Sequence, residues 1–360
     1  MKINRRGVLK IGGLAAGAAV AGVATSAFAA EQPGRRFYAG SYTSSGGPGM
    51  LLGTADDTSG ALTVQKSSAA LADPSWLAFG PHALYAISEA NGTVSAVDPD
   101  TLAVRNTVTT GSGPAHVAVH PAGAYLFTSL YDGGATVTHP IAADGSVKAA
   151  SDTRKQSAKG KTSNAHEVVV DPTGQYLLAM DLGRDAIFTY SLNSGTGKLS
   201  LTRTVAFPAG TGPRHLIFHP GGQYAYLAGE NGNTVTVCAW QNGVLTPGQV
   251  IAAAPAGGVR NYPGEIVTSA DGRFVYVSNR GANTVGVFAT SSDGATLSPV
   301  AAPDCGGDWP RNLTLAGGWL YVANQNSGSI AWLPVDPGSG IPGAVAGHLA
   351  VPGAAQIFLV

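Results

Sequence analysis

The sequence predicts an all-β protein, a seven-bladed β-propeller built from four-stranded antiparallel blades. Three observations predict it. One short segment recurs along the chain. Its turn glycines Gly123, Gly174, Gly222 and Gly272 stand about fifty residues apart, the period of a blade containing several strands. No capped run of helical period survives between the Gly and Pro punctuation.

The repeat is clearest at 212–230, GPRHLIFHPGGQYAYLAGE. Copies follow the same plan at 113–131 (GPAHVAVHPAGAYLFTSLY), 163–182 (SNAHEVVVDPTGQYLLAMDL), 262–280 (YPGEIVTSADGRFVYVSNR) and 309–325 (WPRNLTLAGGWLYVANQ), with a weaker one at 73–89. Each reads as a short apolar inner strand, a Pro/Gly or Asp/Gly turn, and an aromatic-rich second strand. In the best copy the inner strand is expected over Leu216 to His219 and the second over Gln223 to Ala228. The third is expected over Thr234 to Trp240 and the outer over Val244 to Ile251.

Inner strands begin near Pro74, Pro114, Asn164, Pro213, Pro263, Pro310 and Gly353, which gives seven blades. The last of these, GAAQIFLV, has no second strand after it. The run RFYAGSYT from Arg36 has no inner strand before it. The two termini are therefore expected to complete one blade, closing the ring and removing exposed sheet edges.

Residues 1–30 are expected to stand apart from the fold. A basic head, MKINRRGVLK, precedes a small-residue and apolar run from Ile11 to Ala24. Ala27-Phe28-Ala29 then forms an A-x-A cleavage site. Arg5-Arg6 followed by Leu9-Lys10 makes this a twin-arginine signal, implying export of a folded protein. The remaining 31–360 is expected to be one propeller domain, with no stable membrane span once the signal is removed.

Composition narrows the function. Net charge is zero and only 12% of residues are charged, so nucleic-acid binding lacks its electrostatic footprint. Fifty glycines and twenty-two prolines beside 44% hydrophobic residues fit a turn-rich folded chain rather than disorder. The two cysteines, Cys238 and Cys305, make no disulfide framework and no metal spacing; both are expected to be free, one of them buried.

The repeat also sets a register, because residues at one repeat position lie at one height around a central channel. The third residues of the inner-strand segments are Trp76, His116, His166, His215, Glu265, Asn312 and Gln356. One residue earlier stand Ser75, Ala115, Ala165, Arg214, Gly264, Arg311 and Ala355. The second strands end on Tyr42, Glu89, Tyr131, Leu182, Glu230, Arg280 and Gln325. Such polar rings beside apolar strands predict a ligand site at one channel end. His120, His219 and Asp171 precede Pro in the turns and are read as turn residues only.

The motifs GSYT (40–43), AHEVVVDPTGQYLLAMDLGRD (165–185), GPRHLIFHPGGQYAYLAGE, DGRFVYVSNRG (271–281) and WPRNLTL resemble the 6-phosphogluconolactonase family of seven-bladed propellers. The superfamily also contains the fungal carboxy-muconate lactonizing enzyme. The resemblance covers the whole of the expected mature chain. It implies lactone hydrolysis, with His166, Arg214, Glu230 and Arg280 as catalytic residues and His116, His215, Glu265 and Arg311 around the substrate. It implies no cofactor and no metal. Two positions depart from the family pattern: Gly229 replaces the Asn of an Asn-Glu pair, and Gly264-Glu265 stands where an Asp-Ile pair is common.

The chemistry fits those residue types. An imidazole has a pKa near neutrality and suits a general base, so His166 is expected to activate water. Glu230, surrounded by arginines, is expected to orient an arginine or a water. Arg214, Arg280 and Arg311 suit a developing oxyanion and an anionic substrate group. The serine elbow GxSxG is missing from the sequence. Two other readings use the same ring: a non-catalytic propeller that binds a ligand or partner outside the cytoplasm, and a lactonizing or cycloisomerising enzyme.

Overall fold

The computed structural model describes residues 34–156, 160–255, 257 and 259–360; the expected signal segment at 1–30 lies outside them. Seven four-stranded sheets are present, each antiparallel throughout, and six of them are meanders of consecutive strands. Blade 1 contains Leu77–Phe79, Leu84–Ser88, Thr93–Val97 and Val104–Thr109, from the inside outwards. The innermost strands of blades 2 to 6 are Pro114–Val119, Ala165–Val170, Pro213–Phe218, Tyr262–Thr268 and Pro310–Ala316.

Blade 7 is built from both termini. Ala354–Leu359 is its inner strand and pairs antiparallel with Arg35–Ser41, with Phe37 opposite Leu359 and Gly40 opposite Gln356. Met50–Ala55 and Leu62–Ser68 complete it. The ring is thus closed as the sequence predicts.

The repeating turn explains the repeating glycine. Gly123, Gly174, Gly222 and Gly272 all have φ between 71° and 74°, a left-handed conformation that costs glycine least. In blade 4 the inner strand starts at Pro213, three residues before the expected Leu216. The extra residues pair with Gly229 and Ala228 across a bulge.

Apolar burial is divided into wedges between blades. Leu178, Met180 and Ile187 of blade 3 pack on Leu216, Leu227 and Trp240 of blade 4. Tyr226, Val235 and Val237 of blade 4 pack on Ile266, Val275 and Phe288 of blade 5. The shared blade is sealed on both sides: Phe37 and Ala39 meet Tyr321 and Trp332 of blade 6, while Tyr38 and Leu52 meet Leu77 and Leu84 of blade 1. Tyr226 crosses its wedge and donates its hydroxyl to the Gly294 carbonyl at 2.9 Å.

Both cysteines are free, as expected, but both are buried. One buried thiol was expected; Cys305, in its Gly-rich connection, is also sealed, in the wedge between blades 5 and 6, and burial pushes both thiols up to about 12. No described helix is long and apolar enough to cross a membrane.

Candidate active site at the channel mouth

Inner strands run from one end of the channel to the other, and those of blades 2 to 6 each carry a β-bulge near the start. The bulges fall between Pro114 and His116, Ala165 and Glu167, Pro213 and His215, Pro263 and Ile266, and Pro310 and Asn312. Successive strand residues normally point to opposite faces. A bulge breaks that alternation and re-aims a side chain. That is how Arg214 and His215, adjacent in sequence, both contribute to the channel site.

The bulge creates two polar layers. The deeper one is Trp76, His116, Glu167, His215, Glu265, Asn312 and Gln356. Above it, at the bulged positions, stand His166, Arg214 and Arg311. This corrects the register at blade 3. His166 was expected level with His116 and His215, yet it stands level with Arg214, and Glu167 takes the deeper place. The cause is local: Ala165, not Asn164, is the residue that pairs like Pro213, opposite Asp181. Counting back from the DPTG turn shows the offset, since Val168 then aligns with Leu216. Glu167, absent from the expected site, follows from that count.

The deeper layer stitches blade to blade. Glu167 Oε2 accepts from Leu216 N of the next blade at 2.6 Å. Asn312 Oδ1 accepts from Ile357 N at 3.0 Å and Gln356 Oε1 from Leu77 N at 2.7 Å. His215 Nδ1 bonds Glu265 Oε1 at 2.8 Å, while Asn312 Nδ2 donates to Glu265 Oε2 at 2.8 Å. Between blades 1 and 2 stacking replaces hydrogen bonding, with the Trp76 and His116 rings 4.5 Å apart.

The upper layer is held by charge. Glu230 Oε2 lies 2.7 Å from Arg280 Nη2 and 3.0 Å from Arg214 Nε. Arg214, 1% exposed, also donates from Nη1 to the Gly264 carbonyl at 2.8 Å. Arg280 donates to the Tyr262 and Pro263 carbonyls, each at 3.0 Å. Arg311 differs: among the described residues it is in no ion pair, and its guanidinium lies over the Tyr42 ring at 5.4 Å. Tyr42 and Ser75 both donate to Glu89 Oε2, at 2.9 and 2.7 Å.

Gly264 accounts for one departure from the family pattern. A Cβ there would meet Ser278 Oγ at 2.5 Å and the Pro310 carbonyl oxygen at 3.0 Å, so no Asp fits. The acid is supplied one residue later by Glu265, inside the channel.

Burial sets the protonation states. It lowers the His166 pKa well below 6.5, and Arg214, His215, Arg311 and Arg280 push the same way. His166 was expected to titrate near neutrality without perturbation; burial first, and then the guanidiniums around it, are the reason it does not. Burial and His215 depress His116 likewise. His215 falls to about 4, burial outweighing the opposing pull of Glu265. Burial works to raise Glu230, but Arg280 and Arg214 outweigh it and hold the carboxylate below its usual range. Burial and Glu265 raise Glu167 well above 4.5. Arg214 is lowered to about 9, by burial first and then Arg280, and stays charged at neutral pH.

All eight residues expected at the site therefore surround one end of the channel. Among the described residues no cluster of three or more His, Cys, Asp or Glu side chains has metal-holding geometry. His120 and His219 lie at the opposite end in the turns, where His120 Nε2 bonds the Gly174 carbonyl oxygen at 2.9 Å.

A family model described as "Lactonase, 7-bladed beta-propeller" matches residues 36–358. The chain belongs to this lactonase family. It is 30% identical to the 6-phosphogluconolactonase of Bacillus subtilis, over 84% of this chain and 92% of that one. The fold is similar to the solved periplasmic gluconolactonase of Pseudomonas aeruginosa (TM-score 0.83, 30% identity, 91% of this lactonase and 99% of that one). A protein from Lactobacillus plantarum is also similar (TM-score 0.84, 31% identity, 91% and 99% covered). Lactone hydrolysis, the work of a carboxylic ester hydrolase, is the activity this family membership assigns.

Proposed function

We propose that this lactonase is exported and opens a small anionic or sugar-derived lactone at the channel mouth. The observation that carries the reading is the guanidinium surplus. Arg214 and Arg280 share one carboxylate, while Arg311 is in no ion pair among the described residues. Two arginines are fixed for catalysis and one is free to hold a substrate anion.

In this mechanism neutral His166 takes a proton from water as the oxygen attacks the lactone carbonyl carbon. The carbonyl oxygen gains negative charge and is met by Arg214 and Arg280, held in place by Glu230 and by backbone carbonyls, so little reorganisation is needed. Collapse of the tetrahedral intermediate breaks the ring C–O bond. The imidazolium of His166, a strong acid because its pKa is depressed, returns the proton to the leaving alkoxide. Water is consumed and a hydroxy acid is released.

The expected signal at 1–30 and the likeness to a periplasmic gluconolactonase support export. A lactone phosphorylated in central metabolism would not meet an exported enzyme, so phosphate is not required of the substrate. The test is lactone opening by the purified protein, followed by acid release at constant pH, on sugar lactones with and without phosphate or carboxylate. Turnover that rises with an anionic group supports the reading. A folded protein that opens none of them favours a binding propeller.

A further inference from the structure

The deeper layer contains one imidazole whose tautomer is fixed by a carboxylate. His215 Nδ1 lies 2.8 Å from Glu265 Oε1. Glu265 also accepts from Ile266 N at 3.0 Å and from Asn312 Nδ2 at 2.8 Å. A carboxylate held by donors on both oxygens is an acceptor, so Nδ1 of His215 carries the hydrogen and Nε2 carries a lone pair. That Nε2 is fully buried and has no partner among the described residues.

His166 presents the complementary problem. Its ring lies 5.1 Å from that of His215, centroid to centroid, at an interplanar angle of 63°. Its Nδ1 is also buried and unpartnered, so Nε2 is the end left to meet water or substrate. A base at Nε2 requires the hydrogen to sit on Nδ1. That buried N–H then needs an acceptor.

We propose that Glu265 and His215 form a positioning pair for His166: Glu265 holds the His215 hydrogen on Nδ1, and the His215 Nε2 lone pair accepts the Nδ1 hydrogen of His166. The contact closes by a small ring rotation or through one bridging water. It keeps His166 Nε2 unprotonated and aimed at the mouth. When His166 takes the proton of water, the new imidazolium keeps its Nδ1 hydrogen bond to His215, and no proton passes to Glu265. His215 is faced by Arg214 on its own strand, His166 of blade 3, His116 of blade 2, Glu265 of blade 5 and Arg311 of blade 6. The nearby cations disfavour a charged His215 and suit it to act as a neutral acceptor. The pair rests on the reading of His166 as the base.

Glu265→Gln separates this role from a stitch between blades. Glutamine keeps the size but offers N–H to His215 Nδ1, which moves the His215 hydrogen to Nε2 and turns the wrong end toward His166. The expected result is a fall in kcat of about 10²-fold or more with KM nearly unchanged, by analogy with tautomer loss in a carboxylate–imidazole site. Nitrogen NMR of the imidazoles should show His215 and His166 both as Nδ1–H in the wild type, and His215 as Nε2–H in Glu265→Gln. Wild-type His166 found as Nε2–H would overturn the pair, whatever the activity. So would wild-type kcat and pH profile in Glu265→Gln while His166→Ala is inactive. Full activity in His166→Ala, with both imidazoles as Nδ1–H in the wild type, would instead remove the base assignment and leave the tautomer pair standing.

Discussion

Arg280 and Glu230 sit on neighbouring blades, and the 2.7 Å contact between Nη2 and Oε2 joins those blades at the channel mouth. The same oxygen faces Arg214 at 3.0 Å. Glu230→Gln would leave two closely spaced guanidiniums without their shared charge. The expected cost is about 1–3 kcal/mol of stability, the usual penalty for a buried polar group stripped of its partner. Turnover should fall as well, because both arginines lose their orientation. Denaturant unfolding beside kcat measures the two effects; unchanged stability would mean that the carboxylate orients nothing.

His166→Ala should lower kcat about 10²–10⁴-fold, the typical contribution of a general base. KM should change little. Because burial and the surrounding arginines hold the His166 pKa well below 6.5, the wild-type rate should stay level as pH falls from 8 through 6.5 and decline only below that. A midpoint at neutral pH would assign the titration to another group.

Of the three channel arginines, Arg311 is the one in no ion pair among the described residues, and it lies over Tyr42 at 5.4 Å. Arg311→Ala should raise KM for lactones bearing a carboxylate or phosphate and leave neutral lactones nearly unaffected. Arg311→Lys should recover only part of the loss, since an ammonium cannot reproduce a planar two-pronged contact. Equal effects on charged and neutral lactones would remove the clamp role.

The blades and their closure were legible in the sequence because both rest on local signals. The turn glycines require positive φ, and the apolar runs between them repeat at a fixed length. The site was legible only as far as the register was. Arg214, Glu230 and Arg280 converge because their segments align without gaps. Glu167 was missed because the segment before it, SNAH, resembles GPRH closely enough to invite a count from the wrong end. The bulge that brings His166 and Glu167 both to the channel has no residue signature of its own. Pairing across strands and blades fixes it, as with Gly264, whose need for a missing Cβ arises from Ser278 on the next strand and the Pro310 carbonyl of the neighbouring blade.

The channel should also make the fold acid-sensitive. His116, His166 and His215 all have folded pKa values below the 6.5 of an exposed imidazole. Below pH 6.5 the unfolded chain therefore binds protons that the folded chain refuses, and stability falls as pH falls. Each imidazole contributes up to about 1.4 kcal/mol per pH unit over that range. Glu167 acts oppositely: its folded pKa is raised, so its contribution is lost as pH rises above 4.5. Glu230 and Glu265, both lowered, add acid sensitivity only near and below 4.5. Three imidazoles against one carboxyl leave a net loss of stability between pH 6.5 and 4.5. Unfolding free energy measured at pH 7, 6 and 5 should fall at each step. His116→Phe, which keeps a ring beside Trp76, should flatten the slope by about one proton's worth. A flat profile in the wild type would show that the imidazoles titrate alike in folded and unfolded chains.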